Sequence, residues 1–184
     1  MREEPRPQRG LTLVELLVAV VLLGVLVAVA APSMRDMIAR QRVRAINAEL
    51  VTDLQFARSE AARMNRPVLI SFENNASQSC YTLYVRGVVG FCSCSRGAGN
   101  ACRFGPTEIK TVQVPRSRDI SITAVSSEDT NDLAFSAQDG MLNHTGFTID
   151  VASSVHGKLR TTLNMAGRVS SCTPDGSISG VTPC

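Results

Sequence analysis

The sequence lacks the short motifs by which several enzyme classes are recognised. It has no Gly-x4-Gly-Lys-Ser/Thr loop for cradling phosphates and no Gly-x-Ser-x-Gly elbow for presenting a nucleophile. The two histidines, His144 and His156, lie in turn-like contexts without an obvious nucleophile partner. We interpret them as exposed turn residues and expect that the protein is not an enzyme and uses no cofactor.

Charge is also absent from residues 16–34, within and just beyond an apolar run that covers residues 11–31. These 21 residues are enough to span a bilayer as a helix. Glu15 stands near the start of the run, and a carboxylate inside a membrane helix costs roughly 2.5–3.5 kcal/mol, less near its end. We therefore expect a partner group that offsets this cost.

The flanking charges do not fix the orientation of this run, because arginines lie on both sides of it: Arg2, Arg6 and Arg9 before, and Arg35, Arg40, Arg42 and Arg44 after. An ordinary secretory signal is one interpretation, since residues 28–31 offer small side chains for a cleavage site. It would require an unusually long apolar segment that contains Glu15.

The residues at the head of the run are Gly10-Leu11-Thr12-Leu13-Val14-Glu15. They resemble the signal of type IV prepilins and type II secretion pseudopilins. The resemblance implies cleavage between Gly10 and Leu11, N-methylation of Leu11, and pairing of Glu15 with the terminal amine of a neighbouring subunit. The family usually has Phe at the first mature position, and Leu11 keeps its bulk and apolarity.

The helical pattern extends beyond the apolar run. Gly24 and Pro32 interrupt it, and proline tends to kink a helix. In filaments of the resembled family the stretch between two such residues can unwind, and Gly24 also permits close helix packing. One apolar stripe then continues at helical spacing through Val43, Ile46, Leu50, Leu54, Ala57, Ala61 and Met64.

After Pro67 the apolar period changes to two, which predicts half-buried antiparallel strands around Ile70, Leu83, Val112, Ile122, Ile149 and Leu163 with Met165. Asp139-Gly140 and His156-Gly157 are turn signals, and residues 86–106 and 126–132 are expected to be loops. The predicted class is α+β: a leader (1–10), a transmembrane or filament-core helix (11–31), an amphipathic half-helix (32–66) and a β-rich domain (67–184).

The C-terminal half resembles the GspH/FimT group of minor pilins and pseudopilins. The resemblance rests on Leu133-Ala134-Phe135, then Asp139-Gly140, then Gly167-Arg168-Val169. Some FimT members bind DNA through Gly-Arg-x-Arg, but here the second Arg is replaced by Ser170. Arg168, with Arg160 or Lys158 as substitutes, is the candidate DNA contact, although the net charge of +2 after the leader is small for this role.

Cysteine is absent before position 80, and the even number beyond it favours disulfides in an oxidising compartment: Cys80, Cys92, Cys94, Cys102, Cys172 and Cys184. Subunits of the resembled type often close a C-terminal loop, which favours the pair Cys172–Cys184. A hairpin would then pair Cys80 with Cys92 and leave Cys94 with Cys102, among about 15 connectivities. No metal site is expected, because Cys92-Ser93-Cys94 does not have zinc spacing.

These features predict a minor pilin of the type IV pilus, serving priming, a tip complex, twitching or adhesion. An H-type minor pseudopilin of type II secretion and a DNA-binding competence pilin are the alternatives. The implied partners are a prepilin peptidase/N-methyltransferase, other minor subunits, the major subunit and an inner-membrane assembly platform, with DNA as a further candidate. The implied location is the bacterial inner membrane, with the C-terminal domain in the periplasm.

Overall fold

The structure is a computed structural model that describes residues 12–126 and 130–184. The predicted leader, the Gly10–Leu11 cleavage point and the methylated Leu11 lie outside the described residues. The chain divides into two compact units, the first ending at Ile38 and the second formed by Ala39–Cys184.

One helix, α1, runs from Leu13 to Met64 and is not interrupted at Gly24 or Pro32. It ends where Asn65 takes a left-handed φ of 51° just ahead of the Arg66-Pro67 dipeptide. Its N-terminal part contains a stretch that is long and apolar enough to cross a membrane, by length and composition alone.

The described residues of the second unit form ten antiparallel strands: β1 Val68–Asn74, β2 Gln78–Val85, β3 Phe91–Cys92, β4 Cys102–Arg103, β5 Thr107–Pro115, β6 Ile120–Ser126, β7 Asp132–Phe135, β8 Gly146–Ser153, β9 Gly157–Asn164 and β10 Val169–Cys172. They form a sheet of order β5-β2-β1-β7, a sheet of order β10-β9-β8-β6, and the small pair β3-β4.

A single core joins the helix to both four-stranded sheets. Five stripe residues of α1 are fully buried in it: Val43, Leu50, Leu54, Ala57 and Ala61. The sheets contribute alternate residues such as Ile70 and Leu83 on one side and Ile149 and Leu163 on the other. Burial of each large aliphatic side chain stabilises the fold by about 1.5–3 kcal/mol. The amphipathic stripe thus explains why α1 packs on the sheets from Ala39 onward.

The structure corrects four details of the sequence analysis. Residues 86–106 are not wholly loop, because β3, β4 and a 3-10 helix at Cys94–Arg96 lie within them. Strands β7 and β10 have four residues each, and the apolar alternation of the sequence does not predict them. Strand β9 ends at Asn164, so Met165 lies outside it and is 47% exposed. His144 is buried rather than exposed, and its Nε2 lies 3.0 Å from the carbonyl oxygen of Asp132.

Candidate assembly site

Glu15 lies in the first turn of α1, at the third helical position. The Thr12 hydroxyl accepts a hydrogen bond from the backbone N–H of Glu15 at 3.2 Å, and the Thr12 carbonyl accepts one from Leu16 at 3.1 Å. Thr12 is therefore the N-cap, and Thr12 with Glu15 has the spacing of a capping box. The Thr-x-x-Glu pattern signals this capping role, which the predictions from the sequence do not include.

The surroundings of Glu15 are apolar and unpacked. Every large apolar side chain from Leu13 to Val29 is more than half exposed. Within residues 12–126 and 130–184, no Lys, Arg or His makes an ion pair with Glu15. This part of α1 therefore presents an apolar surface with one carboxylate at its start, which suits packing against other apolar helices.

Gly24 lies in the middle of this surface. A Cβ placed on Gly24 would meet no atom within 4 Å, so the helix surface is open and flat at this point. A flat position allows another helix backbone to approach closely. In the structure α1 is continuous from Gly24 to Pro32. Unwinding of this segment in a filament stays a prediction.

Beyond Ala39, two buried polar contacts fix α1 on the sheets. In the first, Asn47 donates to Ser171 at 3.2 Å and accepts from Thr161 at 2.8 Å. In the second, Asp53 accepts from the Tyr81 hydroxyl at 2.7 Å and pairs with Lys110 at 2.8 Å. Buried polar groups require such partners, so a shift of the helix by one turn would leave them unsatisfied.

The Asp53 contact perturbs its two partners. Burial and the nearby Asp53 carboxylate raise the pKa of the Tyr81 hydroxyl far above its ordinary value. Burial lowers the pKa of Lys110, but its bonds to Asp53 and Glu49 raise that pKa by more, so the net change is upward. Tyr81 therefore stays neutral and Lys110 stays charged over the physiological range.

All six cysteines are disulfide-bonded. The expected Cys172–Cys184 bond is present, but the predicted pairs Cys80–Cys92 and Cys94–Cys102 are wrong. The bonds are Cys80–Cys94 and Cys92–Cys102, because Cys92 and Cys102 face each other in the β3–β4 pair. Glu73 lies beside Cys80 and Cys94, but those sulfur atoms are bonded to each other and are not thiolate ligands.

Several contacts anchor the Cys172–Cys184 loop to the domain, including a bond from the Lys158 N–H to the Ser177 hydroxyl at 3.3 Å. Ile178 is 1% exposed within the main core, and the Arg44 side chain of α1 donates to the Ser179 carbonyl. The tail is thus part of the packed structure and covers the start of the docked helix.

The three candidate DNA contacts are not equivalent. Arg160 makes two bonds of 2.8 Å to Asp150, and Lys158 reaches the same carboxylate at 3.3 Å. Burial raises the pKa of Asp150, but the bonds from Arg160 and Lys158 lower it by more, so the net pKa lies below its ordinary value. Among the described residues, Arg168 is the member of this trio without a carboxylate partner.

The glycine that precedes Arg168 has a structural role. Gly167 has a φ of 70°, and a Cβ there would lie 2.8 Å from the Gly140 carbonyl and 3.2 Å from Nε of Arg58. Gly140, at a φ of 63°, packs against the same Arg58 side chain. Both turns require glycine because they close tightly over Arg58.

The chain matches the family model for the type II transport protein GspH over residues 47–167 and the prokaryotic N-terminal methylation motif over residues 5–31. It belongs to the GspH family. The predicted resemblance to this family and to the prepilin signal is confirmed. The GspH family consists of structural minor pilins and pseudopilins.

Solved structures similar to this GspH-family chain include the Pseudomonas aeruginosa type IV minor pilin FimU and the minor pseudopilin EpsH from the Type 2 Secretion System of Vibrio cholerae. FimU in its P21 crystal form has a TM-score of 0.50 and 20% identity, covering 71% of this chain and 88% of that one. EpsH has a TM-score of 0.47 and 12% identity, covering 72% and 98%. The first match shows a common fold, and no curated protein sequence matches the chain.

Proposed function

We propose that this protein is a minor pilin that helps to prime type IV pilus assembly or to form the pilus tip complex. The observation that carries the proposal is Glu15, an exposed carboxylate in the first turn of an unpacked apolar helix. After leader removal by a prepilin peptidase and N-methylation at Leu11, the subunit waits in the inner membrane with Ala39–Cys184 in the periplasm. Glu15 then accepts the terminal amine of an adjacent subunit.

The three disulfides support the pilus over the secretion machine. A subunit at a pilus tip is displayed outside the cell, where no chaperone refolds it if it unfolds. Disulfides that close its loops limit unfolding there. Periplasmic subunits also gain from disulfides, so the alternative is an H-type minor pseudopilin of type II secretion. The matched family is described as a type II transport protein, which favours the pseudopilin alternative. No DNA-binding role is proposed, because Lys158 and Arg160 are engaged by Asp150.

A clean deletion strain separates the two machines. Surface pili with twitching and release of secreted proteins are scored in parallel. We expect loss of pili with normal secretion. Loss of secretion with normal pili would assign the protein to the secretion system, and loss of neither would contradict both.

Replacing Glu15 by Ala tests the assembly role of the carboxylate. We expect Glu15→Ala to accumulate in the membrane with an intact domain but to fail to restore assembly to the deletion strain. Val14→Ala is the matched control, because Val14 lies in the same helical turn and is 66% exposed but carries no charge. Normal filament incorporation of Glu15→Ala would refute the proposal.

A further inference from the structure

The segment 86–106 carries an exposed apolar surface that the assembly helix does not use. Its four large apolar side chains are Val88, Val89, Phe91 and Phe104, exposed to 102%, 67%, 60% and 75%. We propose that this surface, the apolar tip, docks into an apolar, acid-rimmed groove of a neighbouring pilin-like subunit. The inference rests on the proposed function and names the surface through which the subunit recognises its neighbour.

The backbone of the apolar tip is closely packed. A Cβ on Gly87 would lie 2.3 Å from the carbonyl carbon of Gly105, and one on Gly90 would lie 2.2 Å from the Arg103 carbonyl. Only glycine allows these two stretches to approach so closely. These contacts bring the backbone that carries Val88 and Val89 against the backbone that carries Phe104, and Phe91 pairs with the adjacent Arg103, so the four exposed side chains project from one small, closely packed segment.

Covalent and polar bonds hold the base of the tip. The Cys92–Cys102 and Cys80–Cys94 disulfides tie it to itself and to β2. Glu108 accepts hydrogen bonds from the backbone N–H groups of Gly99 at 2.9 Å and Ala101 at 3.0 Å. The Arg96 guanidinium lies 4.9 Å from the centre of the Phe91 ring. A patch that is already ordered loses little conformational entropy on binding.

Phe104 has an unusual backbone conformation for a bulky residue. Its φ of 63° lies in the left-handed region, where a large side chain is disfavoured. The side chain gains no core packing in return, since it is 75% exposed. Strain that packing does not explain is typical of positions selected for contact with another molecule.

A cavity of about 480 Å³ adjoins the tip. Its lining includes the apolar side chains of Leu69, Val85, Val88 and Ala134 and the charged residues Arg66 and Arg86. Val88 thus borders both the projecting patch and this hollow. The combination of projecting aromatic side chains and an adjoining hollow is the shape of a specific protein interface.

The charges on this surface select the partner. Arg66, Arg86 and Arg103 are exposed, and within the described part of the chain none of them forms an ion pair with a carboxylate. A partner with acidic residues around its groove would neutralise them. A second copy in a face-to-face arrangement would instead bring like charges together, which disfavours self-association through this surface.

The position of the tip within the second unit favours a protein over a lipid surface. The chain enters this unit at Ala39, whereas the tip adjoins the other end of α1, where Arg66 donates to the Arg86 carbonyl at 2.9 Å. The 26 residues from Ala39 to Met64 span about 38 Å of helix. The tip therefore lies at the end of the second unit that is remote from Ala39, where the chain enters it.

Photo-crosslinking in the native host tests the proposal on the full-length chain. A benzophenone amino acid replaces Val88 in one strain and Val155 in another, since Val155 is also an exposed valine, at 78%, but lies in the β8–β9 turn. We expect a product with another pilin-like subunit from position 88 and none from position 155. Phe104→Asn in the position-88 strain should lower its yield about tenfold, the effect of losing one binding anchor.

Asn tolerates a positive φ, so we expect Phe104→Asn to keep the fold. Val155→Ser in the position-88 strain is the control for loss of an exposed apolar side chain elsewhere, and it should leave the crosslinking yield unchanged. Equal yields from both positions, a product with a second copy, a lipid adduct, or no effect of Phe104→Asn would each overturn the inference. If deletion of the protein impairs assembly while position 88 yields no subunit product, the inference fails and the proposed function stands. If deletion leaves pili normal, the proposed function itself fails.

Discussion

Tyr81→Phe removes a single hydroxyl from the interface between α1 and the first sheet. Tyr81 is 1% exposed, and its hydroxyl donates to Asp53 at 2.7 Å. The ring contact with Phe72, at a centroid distance of 5.7 Å, is kept. A hydrogen bond to a charged group stabilises a fold by about 1.5–3 kcal/mol. We expect the free energy of unfolding to fall by that amount and the melting temperature by about 3–12 °C.

Urea unfolding of Ala39–Cys184, followed by circular dichroism, measures this loss. Tyr84→Phe is the matched control, because Tyr84 lies on the other face of the same strand, is 9% exposed, and its hydroxyl makes no hydrogen bond among the described residues. The control should change stability by less than about 0.5 kcal/mol. If Tyr81→Phe also costs less than about 0.5 kcal/mol at an unchanged m value, the Asp53 bond does not stabilise the helix position.

Alkaline titration tests the same contact without a substitution. Burial, then the bond to Asp53, raises the pKa of Tyr81 in the folded state, so its neutral form stabilises the fold fully below the unfolded pKa of about 10. That stability decreases as the pH rises above this value. With two tyrosines and no tryptophan in the chain, tyrosinate absorbance arises from Tyr81 and Tyr84 alone, and burial raises the pKa of Tyr84 as well. Ionisation of Tyr81 near pH 10 in the folded protein would contradict the structure.

Two further predictions concern the second sheet and the tail. Because Asp150 has a lowered folded-state pKa, its ion pair with Arg160 stabilises the fold above an unfolded pKa of about 3.9 and less as the pH falls through the folded value. The melting temperature of Asp150→Asn should therefore fall less between pH 7 and pH 3 than that of the parent protein. An equal fall in both proteins would refute this. Joint replacement of Cys172 and Cys184 by Ser opens a loop with a sequence separation of 12 and should cost about 3 kcal/mol in urea unfolding; a loss below about 1 kcal/mol would refute it.

The periodic parts of the fold are predictable from the sequence. The stripe through Leu50 and Leu54 gives the docked half of α1, and alternation around Ile70 and Ile149 gives the centres of both sheets, because burial on one face imposes the period directly. Short elements are not predictable in this way. Strand β7 has four residues, too few for a period to be recognised, and it is defined by pairing with β1 far away in the sequence.

The disulfide pairing depends on contacts that no local pattern encodes. Cys80 lies on the outer face of β2, and Cys94 reaches it because the 3-10 helix folds back across that sheet, where Gln113 donates to the Cys94 carbonyl at 2.7 Å. A hairpin from β2 into the next apolar residues would have placed Cys92 there instead. The tail differs, because Cys172 and Cys184 close a short Pro- and Gly-containing loop that admits few alternatives.

The position of Glu15 fits the assembly role proposed for it, in which one residue serves both the waiting monomer and the assembled filament. A carboxylate near the end of a membrane helix costs less than the roughly 2.5–3.5 kcal/mol found at its centre. In the first turn it also interacts with the helix dipole, which offsets about 0.3–1 kcal/mol. The Thr12 cap fixes the helix start three residues before Glu15, so the carboxylate falls within that turn. In the proposed assembly role, the remaining cost is small enough for the monomer to tolerate and still favours binding of an incoming amine, whereas a carboxylate at the position of Gly24 would impose the full cost on the monomer.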